Sequence, residues 1–136
     1  GHARDYANEI DFNGYDALCA IGGDGTMHEI VNGMLTRDDG KQLPIGLVTG
    51  GTGNSFMHDM ECLKPRNAAR RILTGRLRPI DIAKVDANGE IIFACTMVGW
   101  GMATDITELA ENMRWLGGQR YNVASIIEVM KNRKRV

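Results

Sequence analysis

Asp16-Ala17-Leu18-Cys19-Ala20-Ile21-Gly22-Gly23-Asp24-Gly25-Thr26-Met27-His28-Glu29-Ile30-Val31-Asn32-Gly33-Met34-Leu35 is the stretch whose reading decides the fold. Ala17 to Ile21 is a continuous apolar run bounded by glycine, the pattern of a short strand buried on both faces. After the turn, Met27, Ile30, Val31, Met34 and Leu35 recur at i, i+3, i+4, i+7 and i+8, which predicts a helix with one apolar face. A strand that enters a helix through a glycine-rich turn is half of a βαβ unit. Its turn lies at the carboxyl end of the strand, where open α/β sheets bind ligands. Glycine suits so tight a reversal because it takes positive φ, or lets another backbone come close, at little cost. The turn Gly22-Gly23-Asp24-Gly25-Thr26 is therefore the candidate reaction centre, with Asp24 exposed on it. Plainer roles fit the same residues: Asp24 as an ordinary turn residue, and Thr26 with Glu29 as a capping box at the helix start.

The pattern then repeats. Pro44 opens a second short buried strand, Ile45 to Val48, which runs into Gly50-Gly51-Thr52-Gly53-Asn54 and a predicted helix from Ser55. Turns from neighbouring strands sit side by side. Consecutive main-chain N–H groups in such a loop form an anion-binding nest whose natural guest is phosphate. The alternative is a helix entry with Asn54 or Ser55 as N-cap. Neither turn has the GxxxxGK[ST] spacing of a P-loop, and neither completes GxGxxG. Gly99-Trp100-Gly101 fails as well, since Thr104 stands where the third glycine belongs.

Around this centre the chain reads as a succession of short elements. His2 to Ile10, with Ala3, Tyr6, Ala7 and Ile10 on one face, predicts an amphipathic helix ended by Asn13-Gly14. Arg37 to Gln42 is a polar loop around Asp38-Asp39-Gly40, and Arg66 to Leu73 a short basic helix ended by Gly75, with Arg70 and Arg71 on its solvated face. Pro79 to Ile82 and Ile91 to Val98 bracket Asp86-Ala87-Asn88-Gly89, a hairpin signal. There the rhythm changes from βα to ββ, which places a domain boundary near Pro79 and predicts domains 1–78 and 79–136, the second β-rich. Asp105 to Glu111 begins another helix, with Asp105 and Glu108 in capping positions, and Arg114-Trp115-Leu116-Gly117-Gly118 interrupts it. In the final helix Val123, Ile126, Ile127 and Met130 share a face, expected to be core or partner contact. Its basic tail is expected to be solvated.

Composition bounds the function classes. The 136 residues carry 16 basic and 17 acidic side chains, a net charge of −1, so no global field recruits nucleic acid or anionic lipid and any anion site must be local. Cys19, Cys62 and Cys95, odd in number and widely spaced, suit buried thiols of an intracellular protein better than disulfides or a metal cluster. His2, His28 and His58 have no metal-ligand spacing with Cys or carboxylates, so no metal site is expected from the protein itself. No apolar stretch approaches the roughly 18 residues of a membrane span, and no signal peptide is visible. The opening Gly1-His2-Ala3, which enters a helical pattern at once, reads as part of a longer chain.

Gly22-Gly23-Asp24-Gly25-Thr26 with Glu29, then Pro44-Ile45-Gly46 leading to Gly51-Thr52-Gly53-Asn54, then Ile80-Asp81, resembles the catalytic domain of the diacylglycerol kinase and sphingosine kinase superfamily. Met27 to Gly33, Trp100-Gly101, Asp105, Glu111, Arg114 to Gly117 and Arg120-Tyr121 look like the sphingosine and ceramide kinase branch. The resemblance implies an ATP-dependent lipid kinase: an α/β nucleotide-binding domain, then a β-rich lipid-binding domain, in a cytoplasmic protein that meets membrane surfaces transiently. It implies that Asp24 serves the transfer itself, that Gly51, Thr52, Gly53 and Asn54 hold nucleotide phosphates beside Gly22, Gly23, Gly25, Thr26 and Glu29, and that Arg114 and Arg120 reach the same phosphates. Mg²⁺ would arrive on the nucleotide. Asp105 and Thr107 would face the lipid, and Thr107 stands where sphingosine kinases carry an acidic residue thought to meet the lipid amine. NAD kinase shares the GGDGT turn but not the GTGN loop or the Arg-Trp-Leu-Gly block. A nucleotide-binding module without catalysis is the remaining alternative.

Overall fold

The computed structural model describes residues 1–99 and 101–132, and the chain divides into two compact units, Gly1–Thr96 and Met97–Val136. The first unit contains α1 (His2–Glu9), β1 (Leu18–Gly22), α2 (Asp24–Leu35), β2 (Ile45–Thr49), α3 (Ser55–Asp59), α4 (Pro65–Leu73), β3 (Ala83–Ala87) and β4 (Glu90–Ala94). It is a mixed α/β unit with two small sheets. β1 and β2 are parallel, with Leu18 opposite Ile45 and Gly22 opposite Thr49, so both strands end at the same level and their turns leave the sheet together. β3 and β4 form an antiparallel hairpin closed by Asn88 and Gly89, both at positive φ as a two-residue hairpin turn requires.

α2 organises the interior. Met27 and Val31, one turn apart, enter a cluster with Leu47, Met57, Cys62 and Ala68, against which Ile80, Ile82 and Phe93 pack. Ile30 and Met34 enter a second cluster with Ala7 and Phe12. At Gly33 α1 packs tightly on α2: a Cβ there would run into the main-chain carbonyl of Arg4.

Several sequence expectations need correction. β1 is covered on one face only, because its second face, with Cys19 exposed and Ile21 79% exposed, meets no covering element among the described residues. The capping box at Thr26 and Glu29 does not form. α2 starts at Asp24 with Gly23 as N-cap, so Thr26 already lies inside the helix, and Glu29 instead accepts the main-chain N–H of Ala3 (3.1 Å) at the start of α1. The hairpin lies in the first unit, whose division from the second falls between Thr96 and Met97. Asn32 on α2 ties the hairpin into this unit, its side chain bonding the main chain of Phe93 in β4.

The second unit, among its described residues, holds helices and no strand: α5 (Met102–Glu111), a 3₁₀ segment (Arg114–Gln119) and α6 (Arg120–Asn132). Trp100 and the basic tail at Arg133, Lys134 and Arg135 lie outside the described residues. α5 is capped by Gly101 with no side-chain cap, so Asp105 and Glu108 do not cap it. Among the described residues of α6, Ala124 and Glu128 are buried; of the expected apolar face, Val123 and Ile127 are half-buried and Ile126 and Met130 exposed.

Arg37, just past α2, ties α1 to the rest of the first unit. Its Nη1 donates to the carbonyls of Ala7 (3.0 Å), Asn8 (2.7 Å) and Ile10 (2.9 Å), which are the orphan acceptors at the end of α1. Its guanidinium also lies 4.1 Å from the centre of the Phe12 ring and pairs with Asp39 through two bonds. That guanidinium, followed by the N–H of Lys41, holds the Asp39 carboxyl well below the usual carboxylate range. A lowered native value means that the contribution of Asp39 to stability is complete above about pH 4, the unfolded carboxylate's range, and is lost as pH falls further. The Tm difference between wild type and Asp39→Asn is therefore expected to be constant near neutrality and to shrink in acid. A difference unchanged through that range would remove the ion pair from the account.

Candidate functional site

The first glycine turn begins where the β1 ladder ends. Gly50 N–H donates to Gly22 O (2.8 Å), which prolongs the β1–β2 pairing by one step and brings the two turns back to back. They touch at glycines: a Cβ on Gly51 would lie 2.5 Å from Gly23 Cα, and one on Gly23 would lie 2.9 Å from Gly51 Cα. Backbone stands against backbone here, so no side chain is tolerated at either position without moving a strand end. Gly22 is constrained locally, since a Cβ there would collide with the Thr26 side chain. Gly25 is open on its Cβ side and exposed.

Asn54 shapes the second turn. It sits in the left-handed region (φ 63°, ψ 34°), which Asn tolerates better than most residues. Its side-chain amide faces Gly51 on both sides, with Oδ1 accepting Gly51 N–H (3.2 Å) and Nδ2 donating to Gly51 O (2.6 Å). The loop from Gly51 to Asn54 is thereby closed on itself. Among the described residues the N–H groups of Thr52, Gly53 and Asn54 have no hydrogen-bond partner, and Thr52 and Gly53 are exposed.

Asp24 joins the two turns. It is the first residue of α2, and its carboxylate accepts the N–H of Ser55 (Oδ2, 2.8 Å) and of Phe56 (Oδ1, 2.9 Å) at the start of α3. Asn54 stands at the N-cap position of α3 but makes no side-chain cap bond; Asp24 supplies those bonds from across the site. Gly53 lies beside this contact: a Cβ on it would be 2.9 Å from Asp24 Oδ2. Burial pushes the Cys95 thiol up, and the charge of Asp24 adds to the shift. Glu29 is turned away to α1, as described above. Among the described residues no group of three or more His, Cys, Asp or Glu side chains could hold a metal ion.

Arg114, Arg120, Asp105 and Thr107 lie in the second unit. Arg114 pairs with Glu111 and is largely exposed, and Arg120 Nη2 reaches the other oxygen of the same carboxylate at 3.2 Å. The chain bends between them at Gly117 (φ 56°), which is what lets residues on either side of it converge. Arg120 is mostly buried, stacks 4.8 Å from the Tyr121 ring, and leaves its Nε without a partner among the described residues. Asp105 is exposed, and Thr107 Oγ1 donates to Ala103 O (2.8 Å) within its own helix.

Sequence reasoning missed the Asp24 cap on Ser55 and Phe56, the Asn54 clamp and Asn32. For Asn32 a signal was present: it is a polar residue at a buried position of α2, between Val31 and Gly33.

Two parallel strands ending in apposed glycine turns, with a carboxylate bridging them, make a mixed α/β arrangement of the kind that binds ligands at the carboxyl ends of its strands. Residues 1–85 match the diacylglycerol kinase catalytic domain, and the chain belongs to that family. It is 32% identical to sphingosine kinase 1 of Arabidopsis thaliana over 95% of this chain and 28% of that protein. It is 33% identical to sphingoid long chain base kinase 4 of Schizosaccharomyces pombe over 88% of this chain and 27% of that one. With sphingoid long-chain bases kinase 1 of Arabidopsis thaliana the identity is 36%, over 96% of this chain and 18% of the relative. The chain thus spans less than a third of the length of these relatives.

Proposed function

We propose that this chain carries the phosphate-handling half of an ATP-dependent lipid kinase that phosphorylates a hydroxyl of a sphingoid, ceramide or diacylglycerol-type lipid. The observation that carries the reading is the Asp24 carboxylate, held between the two glycine turns by two main-chain donors and beside a loop with three N–H groups to spare. Those N–H groups, of Thr52, Gly53 and Asn54, suit phosphate oxygens, and the exposed glycine-containing rim lets phosphate approach the main chain. Asp24 then orients the lipid hydroxyl and takes its proton as that oxygen bonds to the γ-phosphorus and the bond to the ADP oxygen breaks. Mg²⁺ carried on the nucleotide would neutralise phosphate charge. The names of the relatives favour a sphingoid base as acceptor, and Thr107 in place of an acid favours one whose amine is not read by a carboxylate at that position. In the second unit, Arg114 and Arg120 would exchange Glu111 for phosphate.

The test is ATP affinity in folded variants of the complete protein. Thr52→Ala keeps the main chain and should weaken ATP binding modestly. Gly53→Val drives a branched side chain into Asp24 Oδ2 and covers the N–H rim, and should nearly abolish it. Arg120→Ala should raise KM for ATP more than KM for lipid. Unchanged ATP affinity in Gly53→Val, with folding intact, would remove the loop from the nucleotide site.

A further inference from the structure

The chain's positive charge is unevenly placed. Leu63 through Pro79 contains Lys64, Arg66, Arg70, Arg71, Arg76 and Arg78, six of the sixteen basic residues, and no acidic one, although the net charge of the chain is −1. α4 uses its inner side for the core, where Ala68 is buried and the Ile72 side chain reaches Gly46 of β2. Arg66, Arg70 and Leu73, at i, i+4 and i+7, share the other side. Leu73 is 86% exposed, and Leu77, on the segment leaving the helix, is 72% exposed. Arg71 is engaged internally, on the carbonyl of Met60 (2.6 Å). Arg66, Arg70, Arg76 and Arg78 make no ion pair among the described residues.

A single exposed leucine needs no explanation. Two of them among unpaired guanidiniums, on a helix whose inner side is already packed, make an interfacial element: apolar side chains to enter a bilayer and cations to meet its headgroups. We propose that the outer side of α4, together with the segment to Arg78, is a docking surface for an anionic lipid bilayer. A bilayer fits better than an acidic protein because Leu73 projects from a convex helix and Leu77 from the segment that leaves it. A fluid apolar medium receives them without a shaped pocket, and the long arginine stems let the charges stay at phosphate level. The surface does not depend on the phosphoryl-transfer reading, and it would place the chain on the medium where a lipid acceptor resides.

The experiment is co-sedimentation of the complete protein with phosphatidylcholine vesicles, with and without phosphatidylserine, at low and high salt. Binding should require phosphatidylserine and weaken with salt. Arg66→Ala and Arg70→Ala should each lower partition about fivefold, the worth of one cation near an anionic surface. Leu73→Ser and Leu77→Ser should each lower it roughly tenfold, from lost apolar burial, with the salt dependence unchanged. All four positions are exposed, so turnover on a soluble short-chain lipid in detergent should stay at the wild-type level. Vesicle binding in a preparation without turnover on that acceptor would support this surface while sinking the kinase reading. Three results would overturn the surface: partition unchanged in the variants, a wild type that binds polyglutamate but ignores phosphatidylserine vesicles, or a fluorophore at Leu73→Cys shielded from an aqueous quencher before vesicles are added.

Discussion

Asp24→Asn in the complete protein is expected to lower phosphoryl transfer by roughly two to four powers of ten, the range for a lost general acid or base. Its effect on ATP affinity should be small. The carboxylate holds one main-chain N–H on each oxygen, and an ionised carboxylate has lone pairs left on both for a further donor. An incoming hydroxyl would therefore meet an acceptor already fixed in place, which matters more than basicity in a loose transition state where the proton leaves late. The same two bonds make the substitution structurally costly. Asparagine keeps one oxygen, but its NH₂ must face either Ser55 N–H or Phe56 N–H, donor against donor, at a cost of about 1–3 kcal/mol. Turnover, ATP affinity and thermal stability must accordingly be measured together. Turnover that falls only in proportion to the folded fraction would leave Asp24 as the cap of α3 and nothing more.

That double duty of Asp24 shows where the sequence stops being readable. The strand, turn and helix at Ala17 to Leu35 follow from a short apolar run and a 3.6-residue period, and the hairpin at Asn88-Gly89 from local turn chemistry, because each depends on neighbours in the chain. The bond from Asp24 to Ser55 spans 31 residues and follows only from the parallel register that ends β1 and β2 together. A capping box at Thr26 and Glu29 was a fair local reading, but it depended on where the helix begins. With α2 starting at Asp24, Glu29 lies a full turn inside and is free to reach α1. The apolar run at β1 could not say how many layers cover it, so Cys19 and Ile21 were expected inside and lie outside. Arg37 looked like an ordinary loop arginine because its three carbonyl partners lie at the end of a helix about thirty residues earlier and on the residue that caps it, a distance no motif encodes.

Asn32→Ala should be among the most destabilising single changes in the first unit. Asn32 is 4% exposed, and its amide makes three bonds of 2.8 Å: Nδ2 to the carbonyls of His28 and Phe93, and Oδ1 from the N–H of Phe93. Toward Phe93 the side chain behaves as a neighbouring strand would, satisfying the N–H and C=O of one β4 residue at once. Alanine removes both partners and leaves those main-chain groups partly buried and unpaired, at a cost of about 1–3 kcal/mol for each. The total, roughly 2–6 kcal/mol, is a large share of the ~5–15 kcal/mol that a domain has. Asn32→Leu restores volume but no bonds and should recover little. Asn32→Asp keeps the acceptor for Phe93 N–H but sets an anion against the Phe93 carbonyl, so it should be no better near neutrality. Chemical denaturation gives the stability change, and amide exchange at Phe93 gives its location. The clamp should show as faster exchange at Phe93 than at residues of β1. A stability change under about 0.5 kcal/mol, the range of an ordinary surface substitution, with Phe93 still protected, would mean that apolar packing of Ile80, Ile82 and Phe93 holds the hairpin without it.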